Sequence, residues 1–238
     1  MKTCFWPAMA MIVSLLFVAG CQSAEKKRSV LVEQHLKLAE QKNAMKDRSG
    51  AMKELNDVLA IDPESQSALV RRGRIFSDMG NDDAALRDFN SVLELNSANL
   101  AAYVGIAEVQ KRQKDYAAAL ANLQKALELV PDMPGDTMDA ETRDATRVIQ
   151  AAIVMSRGEV YASTGEFDRA IQDFTHAIEL RPELYRAYQL RANAYVATGD
   201  KKRALADLKV IRENSRDTDM LSRARQLTYE LTAPEQTR

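Results

Sequence analysis

Apolar residues recur along most of this chain at the interval of an amphipathic helix, and the segments that carry the pattern are separated by short polar or glycine-bearing turns. SALVRRGRIFSDM (67–79), AAYVGIAEVQKRQ (101–113), IVMSRGEVYAST (153–164) and RAYQLRANAYVAT (186–198) form one set of predicted helices. Each is followed by a second predicted helix that opens on a turn: GNDDAALRDFNSVLEL (80–95), KDYAAALANLQKALELVP (114–131), GEFDRAIQDFTHAIELRP (165–182) and GDKKRALADLKVI (199–211). KDRSGAMKELNDVLAIDP (46–63) is a weaker copy of the same phrase. A last segment, DTDMLSRARQLTYELTAP (217–234), puts Leu221, Ala224, Leu227 or Thr228, and Leu231 on one face, which predicts a helix that closes the array. The predicted fold class is all-α.

The copies are in register. Ala51, Ala85 and Ala119 stand 34 residues apart, as do Ala170 and Ala204, and an insertion over 134–150 accounts for the one longer interval. This pattern resembles the tetratricopeptide repeat, a helix-turn-helix unit of that period. The resemblance covers 32–218, as repeats 32–65, 66–99, 100–133, 151–184 and 185–218. It places the family's small first-helix residue at Ala39, Gly73, Ala107, Gly158 and Ala192, and its second-helix alanine at Ala51, Ala85, Ala119, Ala170 and Ala204. The large apolar position falls at Leu55, Phe89, Leu123, Phe174 and Leu208, and the closing proline at Pro63, Pro131 and Pro182. Ser97 and Arg216 depart from the proline, and Lys42 and Gln110 stand where a tyrosine is usual. The resemblance implies a right-handed α-solenoid of about five repeats, finished by a capping helix and tail over 219–238. Small residues recur because two helices approach to about 8–10 Å only where the side chains at their crossing are small.

Two further regularities follow from the register. Arg72, Arg157 and Arg191 on first helices share one constant spacing to Asp88, Asp173 and Asp207 on second helices, which predicts an Arg–Asp pair inside repeats two, four and five; repeat three has Ile106 and Asn122 there. In the insertion, PDMPGD (131–136) reads as a loop, and Asp139 or Thr137 caps a helix that runs through Val148 and Ile149 into repeat four. That extension either widens one face of the array or serves a particular partner.

The N-terminal stretch MKTCFWPAMAMIVSLLFVAGC (1–21) begins on Lys2, continues through an apolar run from Ala8 to Ala19 and ends on small residues before Cys21, a secretory-signal pattern. A bilayer-spanning helix needs about 20 apolar residues, more than this run supplies, and Pro7 stands near its start, so a permanent span is disfavoured. Val18-Ala19-Gly20-Cys21 resembles a bacterial lipobox. The resemblance implies a signal peptide over 1–20, a mature chain that starts at lipidated Cys21, and, with Gln22 next, sorting to the outer membrane with the domain facing the periplasm. The alternative is an unmodified Cys21 behind a signal cut elsewhere. Residues 21–31 read as a tether, extended at about 3.3–3.6 Å per residue, whose Lys26, Lys27 and Arg28 are either solvated or laid on anionic lipid.

Composition and charge remove several functions. With 33 Lys+Arg against 34 Asp+Glu the formal charge is -1, so no long-range field draws the chain to nucleic acid, and no nucleic-acid partner is expected. Cys4 and Cys21 both lie in or beside the N-terminal apolar run, so there is no disulfide framework. His35 and His176 fall in different repeats and read as surface histidines, without a metal. The sequence has no GxxxxGK[ST] loop, no GxSxG elbow and no GxGxxG after a strand. No catalytic residue and no cofactor are expected.

What remains is the surface lined by the first helices. By resemblance, family members hold peptides or protein helices there, in a concave groove. The positions are Val70, Arg74 and Ser77; Val104, Glu108 and Lys111; Met155, Glu159 and Ala162; and Arg186, Gln189, Asn193 and Val196. The resulting expectation is a lipid-anchored periplasmic scaffold or adaptor that binds protein partners in envelope assembly, such as pilus or secretion assembly, outer-membrane biogenesis or cell-wall turnover. An envelope hydrolase or its accessory subunit, and a cytosolic co-chaperone with a different N-terminus, are the alternatives. The pattern leaves oligomeric state open.

Overall fold

A computed structural model describes residues 6–130 and 139–233, with side chains from Glu25 onward. Among these residues the chain is helical without strands: α1 (Trp6–Ala44), α2 (Arg48–Ile61), α3 (Gln66–Asp78), α4 (Asp82–Leu95), α5 (Leu100–Arg112), α6 (Tyr116–Leu129), α7 (Ala140–Ser163), α8 (Phe167–Leu180), α9 (Tyr185–Ala197), α10 (Lys201–Asn214) and α11 (Thr218–Thr232). The expected all-α class is what forms. The chain divides into two compact units, Met1–Ser97 with α1–α4 and Ala98–Arg238 with α5–α11. In the first unit α1 packs on α2, α2 on α3 and α3 on α4; in the second, consecutive helices from α5 to α11 pack on one another.

Every hairpin turns by the same device. Lys46, Gly80, Lys114, Gly165 and Gly199 occupy one place in the five repeats, and all have φ between 63° and 82°. The residue after each donates its N–H to a carbonyl in the last turn of the helix just ended: Asp47 to Lys42, Asn81 to Phe76, Asp115 to Gln110, Glu166 to Tyr161 and Asp200 to Tyr195, at 2.8–2.9 Å. The side chains of Asp47, Asn81, Asp115 and Asp200 then accept a backbone N–H from Gly50, Ala84, Ala118 and Arg203 in the helix that follows. In four of the five hairpins one residue thus closes one helix and opens the next, whereas Glu166 makes no side-chain cap bond.

The hairpins close on the repeated small residues. Ala51, Ala85, Ala119, Ala170 and Ala204 are all 0% exposed. Opposite them the chain trades volume in pairs. A Cβ added to Gly73 would lie 2.8 Å from the Phe89 ring, and one added to Gly158 would lie 2.7 Å from the Phe174 ring. In the other repeats alanine meets the smaller leucine: Ala39 shares a core cluster with Leu55, Ala107 with Leu123 and Ala192 with Leu208. Phenylalanine is therefore admitted only where the facing helix has no methyl group.

The ends and the insertion show how far the pattern reaches. Residues 25–31, read from sequence as part of an extended tether, are helical and continuous with the rest of α1. Glu25-Lys26-Lys27-Arg28 contains no helix breaker and consists of good helix formers. Ten residues of this stretch therefore span about 15 Å instead of the 30 Å or more of an extended chain. Insertion residues 140–150 form the first turns of α7, whose 24 residues compare with 13 for α5 and α9, and Asp139 caps it through the Thr142 N–H. Pro131, Thr137 and the loop over 131–138 lie outside the described residues, as does the side chain of Cys21. At the C-terminus α11 places Ala224, Met220, Leu227 and Leu231 against the core formed by α9 and α10. No helix among the described residues is long and apolar enough to cross a membrane.

Candidate functional site

Within the second unit the first helices α5, α7 and α9 carry Val104, Glu108, Lys111, Met155, Glu159, Ala162, Arg186, Gln189, Asn193 and Val196, and none of these side chains is buried. Three of them are joined by charge. Glu159 on α7 accepts from Lys111 Nζ of α5 at 2.5 Å and from Arg186 Nη2 of α9 at 2.7 Å, one carboxylate oxygen to each. Glu159 is mostly covered, whereas Arg186 keeps more than half of its side chain in solvent. With Glu108 and Asn193 exposed nearby on the same helices, these positions carry two cations and two anions. The apolar positions Val104, Met155, Ala162 and Val196 supply contact area between the polar ones. Beside α7, Met155 also joins Val148, Ala151, Ala152 and Leu184 in lining a small apolar cleft, with Arg181 and Glu183 at its rim.

In the first unit the corresponding positions differ. Of Val70, Arg74 and Ser77 on α3, only Arg74 is exposed, while Val70 and Ser77 are buried at 9% and 7%. The expectation that all three line an open surface is corrected here. The buried set of this helix comprises Ala68, Leu69, Val70, Gly73, Ile75 and Ser77.

The charges behind the face are structural. Arg72 reaches both oxygens of Asp88 at 2.8 Å, Arg157 both oxygens of Asp173 at 2.8 and 2.9 Å, and Arg191 both oxygens of Asp207 at 2.8 and 2.9 Å, as the constant spacing predicts. Each arginine spends its remaining Nη1 on the second helix of the preceding repeat: Arg72 on Asn56, Arg157 on Gln124 and Arg191 on Thr175. Three helices are thereby tied at one guanidinium, a use of its fork that lysine could not copy. The aspartates are buried, at 5–6% exposure, and their carboxylates hold the Arg157 and Arg191 guanidinium groups further into the charged form than usual.

Repeat one shows a variation that sequence reasoning missed. Glu54 stands where repeats two, four and five have the aspartate, and Leu38 stands where they have the arginine. The carboxylate is nonetheless buried at 8%. It is held by cationic and imidazole groups one turn to either side of Leu38, Lys42 Nζ at 2.5 Å and His35 Nδ1 at 2.6 Å. The Lys42 ammonium, and then the His35 bond, keep the Glu54 carboxyl below its ordinary range, and Glu54 in turn raises Lys42. His35 is thus no free surface histidine, whereas His176 is exposed. Asp57 brings a third ligand-type atom within 4.8 Å of those of His35 and Glu54. Lys42 already neutralises that pocket, which makes the trio a poor seat for a cation. The signal available beforehand was the register itself, which puts Glu54 in the aspartate's column.

A stack of helix-turn-helix units with Gly or Ala at each crossing, a left-handed residue at each turn and an open first-helix face defines a helical-repeat binding protein. The family profile "Tetratricopeptide repeat protein 21 ARM repeat" matches residues 98–226, and the profile "Tetratricopeptide repeat" matches residues 66–99. The chain belongs to the tetratricopeptide repeat family. Among curated relatives, DnaJ homolog subfamily C member 3 of Rattus norvegicus is 26% identical over 234 residues, covering 95% of this chain and 44% of that protein. The chain thus spans less than half the length of that relative. Among solved structures, TTC0263, a thermophilic repeat protein of Thermus thermophilus, is similar with a TM-score of 0.62 and 22% identity, covering 82% of this chain and 97% of that one. PilF of Pseudomonas aeruginosa gives a TM-score of 0.65 and 15% identity, covering 86% and 90%. At these identities the structural likeness concerns the fold.

Proposed function

We propose that the chain is a lipid-anchored adaptor of a bacterial envelope, tied to the membrane through Cys21 and holding a protein partner on the face formed by α5, α7 and α9. One observation carries the partner half of this reading: the first-helix positions of the second unit all stay open, while the arginines behind them are consumed in tying the repeats together. A surface of mixed charge and short apolar side chains suits a peptide or helix that brings its own carboxylates to Lys111 and Arg186 and apolar groups to Val104 and Val196. The reaction-centre motifs absent from the sequence support a scaffold over an envelope hydrolase or its subunit. The lipobox-like Val18–Cys21 supports the anchor.

A second reading, a co-chaperone that receives client polypeptide, is favoured by the likeness to a DnaJ homolog. One experiment separates them. A photo-crosslinking amino acid at Asn193, with Lys209 on α10 as the comparison site, is activated in living cells and the adducts are identified by mass spectrometry. Repeated capture of one envelope assembly from Asn193, together with radioactive palmitate that is lost on Cys21→Ser, supports the adaptor. Capture of many unrelated unfolded chains supports the co-chaperone, and equal capture from both sites removes the binding face.

A further inference from the structure

Helix α1 carries a second, exposed apolar surface beside the side that packs on α2. Val32, Leu36 and Ala39 turn toward α2 and the core. At 100° per residue, Val30, Leu31 and Leu38 lie about 110–150° round the helix from those residues and are 45%, 43% and 42% exposed, and Met45, just past the end of α1, is 81% exposed. Lys26 and Lys27, together with Val30, Leu31 and Gln34, line a shallow apolar hollow there. Residues 25–38 hold four cations, Lys26, Lys27, Arg28 and Lys37, against two anions, Glu25 and Glu33. This local excess of positive charge stands in a chain whose net charge is -1.

We propose that this face of α1 lies flat on an anionic lipid bilayer, with Leu31 and Leu38 at the headgroup boundary and Lys26 and Lys27 on acidic headgroups. The inference rests on the reading of Cys21 as the lipid anchor. Because the stretch is helical, Leu31 stands only about 15 Å along the helix from Cys21. An upright helix would lift these leucines into water, whereas a recumbent one keeps them within the roughly 5–10 Å of the interface that an amphipathic helix occupies. A second copy of the chain fits the face less well, since a two-fold pairing brings together two copies of a segment that holds four cations and two anions. Acidic headgroups are the complement, and each lysine near such a surface favours docking about fivefold.

The test uses the mature protein purified from cells. Cys4 leaves with the signal and the Cys21 thiol is alkylated, so Leu31→Cys and Leu38→Cys each provide the one free thiol for a nitroxide probe. The labelled protein is reconstituted into vesicles of phosphatidylcholine with and without phosphatidylglycerol, and collision of the probe with oxygen is compared with collision with a water-soluble nickel complex. Both sites favour oxygen in the anionic vesicles, a probe at Lys209→Cys stays with the nickel complex, and Lys26→Gln with Lys27→Gln shifts the docked-to-undocked ratio by about thirtyfold. Probes at 31 and 38 that remain open to nickel on acylated protein overturn the inference and leave the anchor intact. Spin–spin broadening between labels overturns it in favour of a second copy. A Cys21 mass without acyl groups overturns the anchor reading, and the inference with it.

Discussion

Gly158→Ala adds a methyl group whose carbon would lie 2.7 Å from one ring atom of Phe174, 3.0 Å from a second and 3.1 Å from Cβ of Asp173. The ring is 0% exposed, so it cannot give way by swinging into solvent. Overpacking of this kind costs about 1–3 kcal/mol, against which alanine returns about 1 kcal/mol of helix propensity; the expected net loss is about 0–2 kcal/mol. Phe174→Leu alone leaves a void and costs about 1–2 kcal/mol from lost apolar burial and cavity formation. The double variant recreates the Ala107–Leu123 arrangement that repeat three already uses. It should be more stable than either single change, with a favourable coupling of about 1–2 kcal/mol. Urea unfolding followed by circular dichroism, together with hydrogen exchange of the α7 and α8 amides, reads this out locally, which matters because stacked repeats need not unfold all at once. Additivity of the two changes to within about 0.5 kcal/mol would refute the idea that the small residue is chosen by the ring it faces.

Two other consequences are open to measurement. The Glu54 carboxyl is depressed by Lys42 and His35, so its contribution to the first unit is present above about pH 4.3, the ordinary glutamate value, and is lost as pH falls through its lower folded value; Glu54→Gln should flatten the acid limb of α1–α2 hydrogen exchange, and an unchanged limb would count against the pairing. Lys114 holds a φ of 64° where three other repeats have glycine. Lys114→Gly should raise stability by about 0.5–1 kcal/mol by relieving left-handed strain, and a lower melting temperature would show that the side chain does something at this turn.

Much of the architecture was legible because its cause is local and repeated. The alanine ladder from Ala51 to Ala204 and the Arg–Asp pairs could be read directly, and the α7 cap could be narrowed to Asp139 or Thr137, since each depends on helix periodicity or on fixed spacing within one hairpin. The site was legible only as a set of positions. Val70 and Ser77 look like their counterparts Val104 and Ala162 in sequence, yet they are buried, and burial depends on what packs from elsewhere in the fold. Glu54 was missed because its partners His35 and Lys42 do not occupy the arginine's column; two side chains one turn away on α1 replaced one guanidinium.

By itself, then, the order of residues determined the helices, their pairing and the spacing at which they cross, because period, turn chemistry and side-chain volume act over a single hairpin. Tertiary structure alone decided which first-helix positions stay open, and that Glu159 draws Lys111 and Arg186 together across three helices. Those outcomes depend on distances between residues far apart in the chain, which the repeat register does not encode.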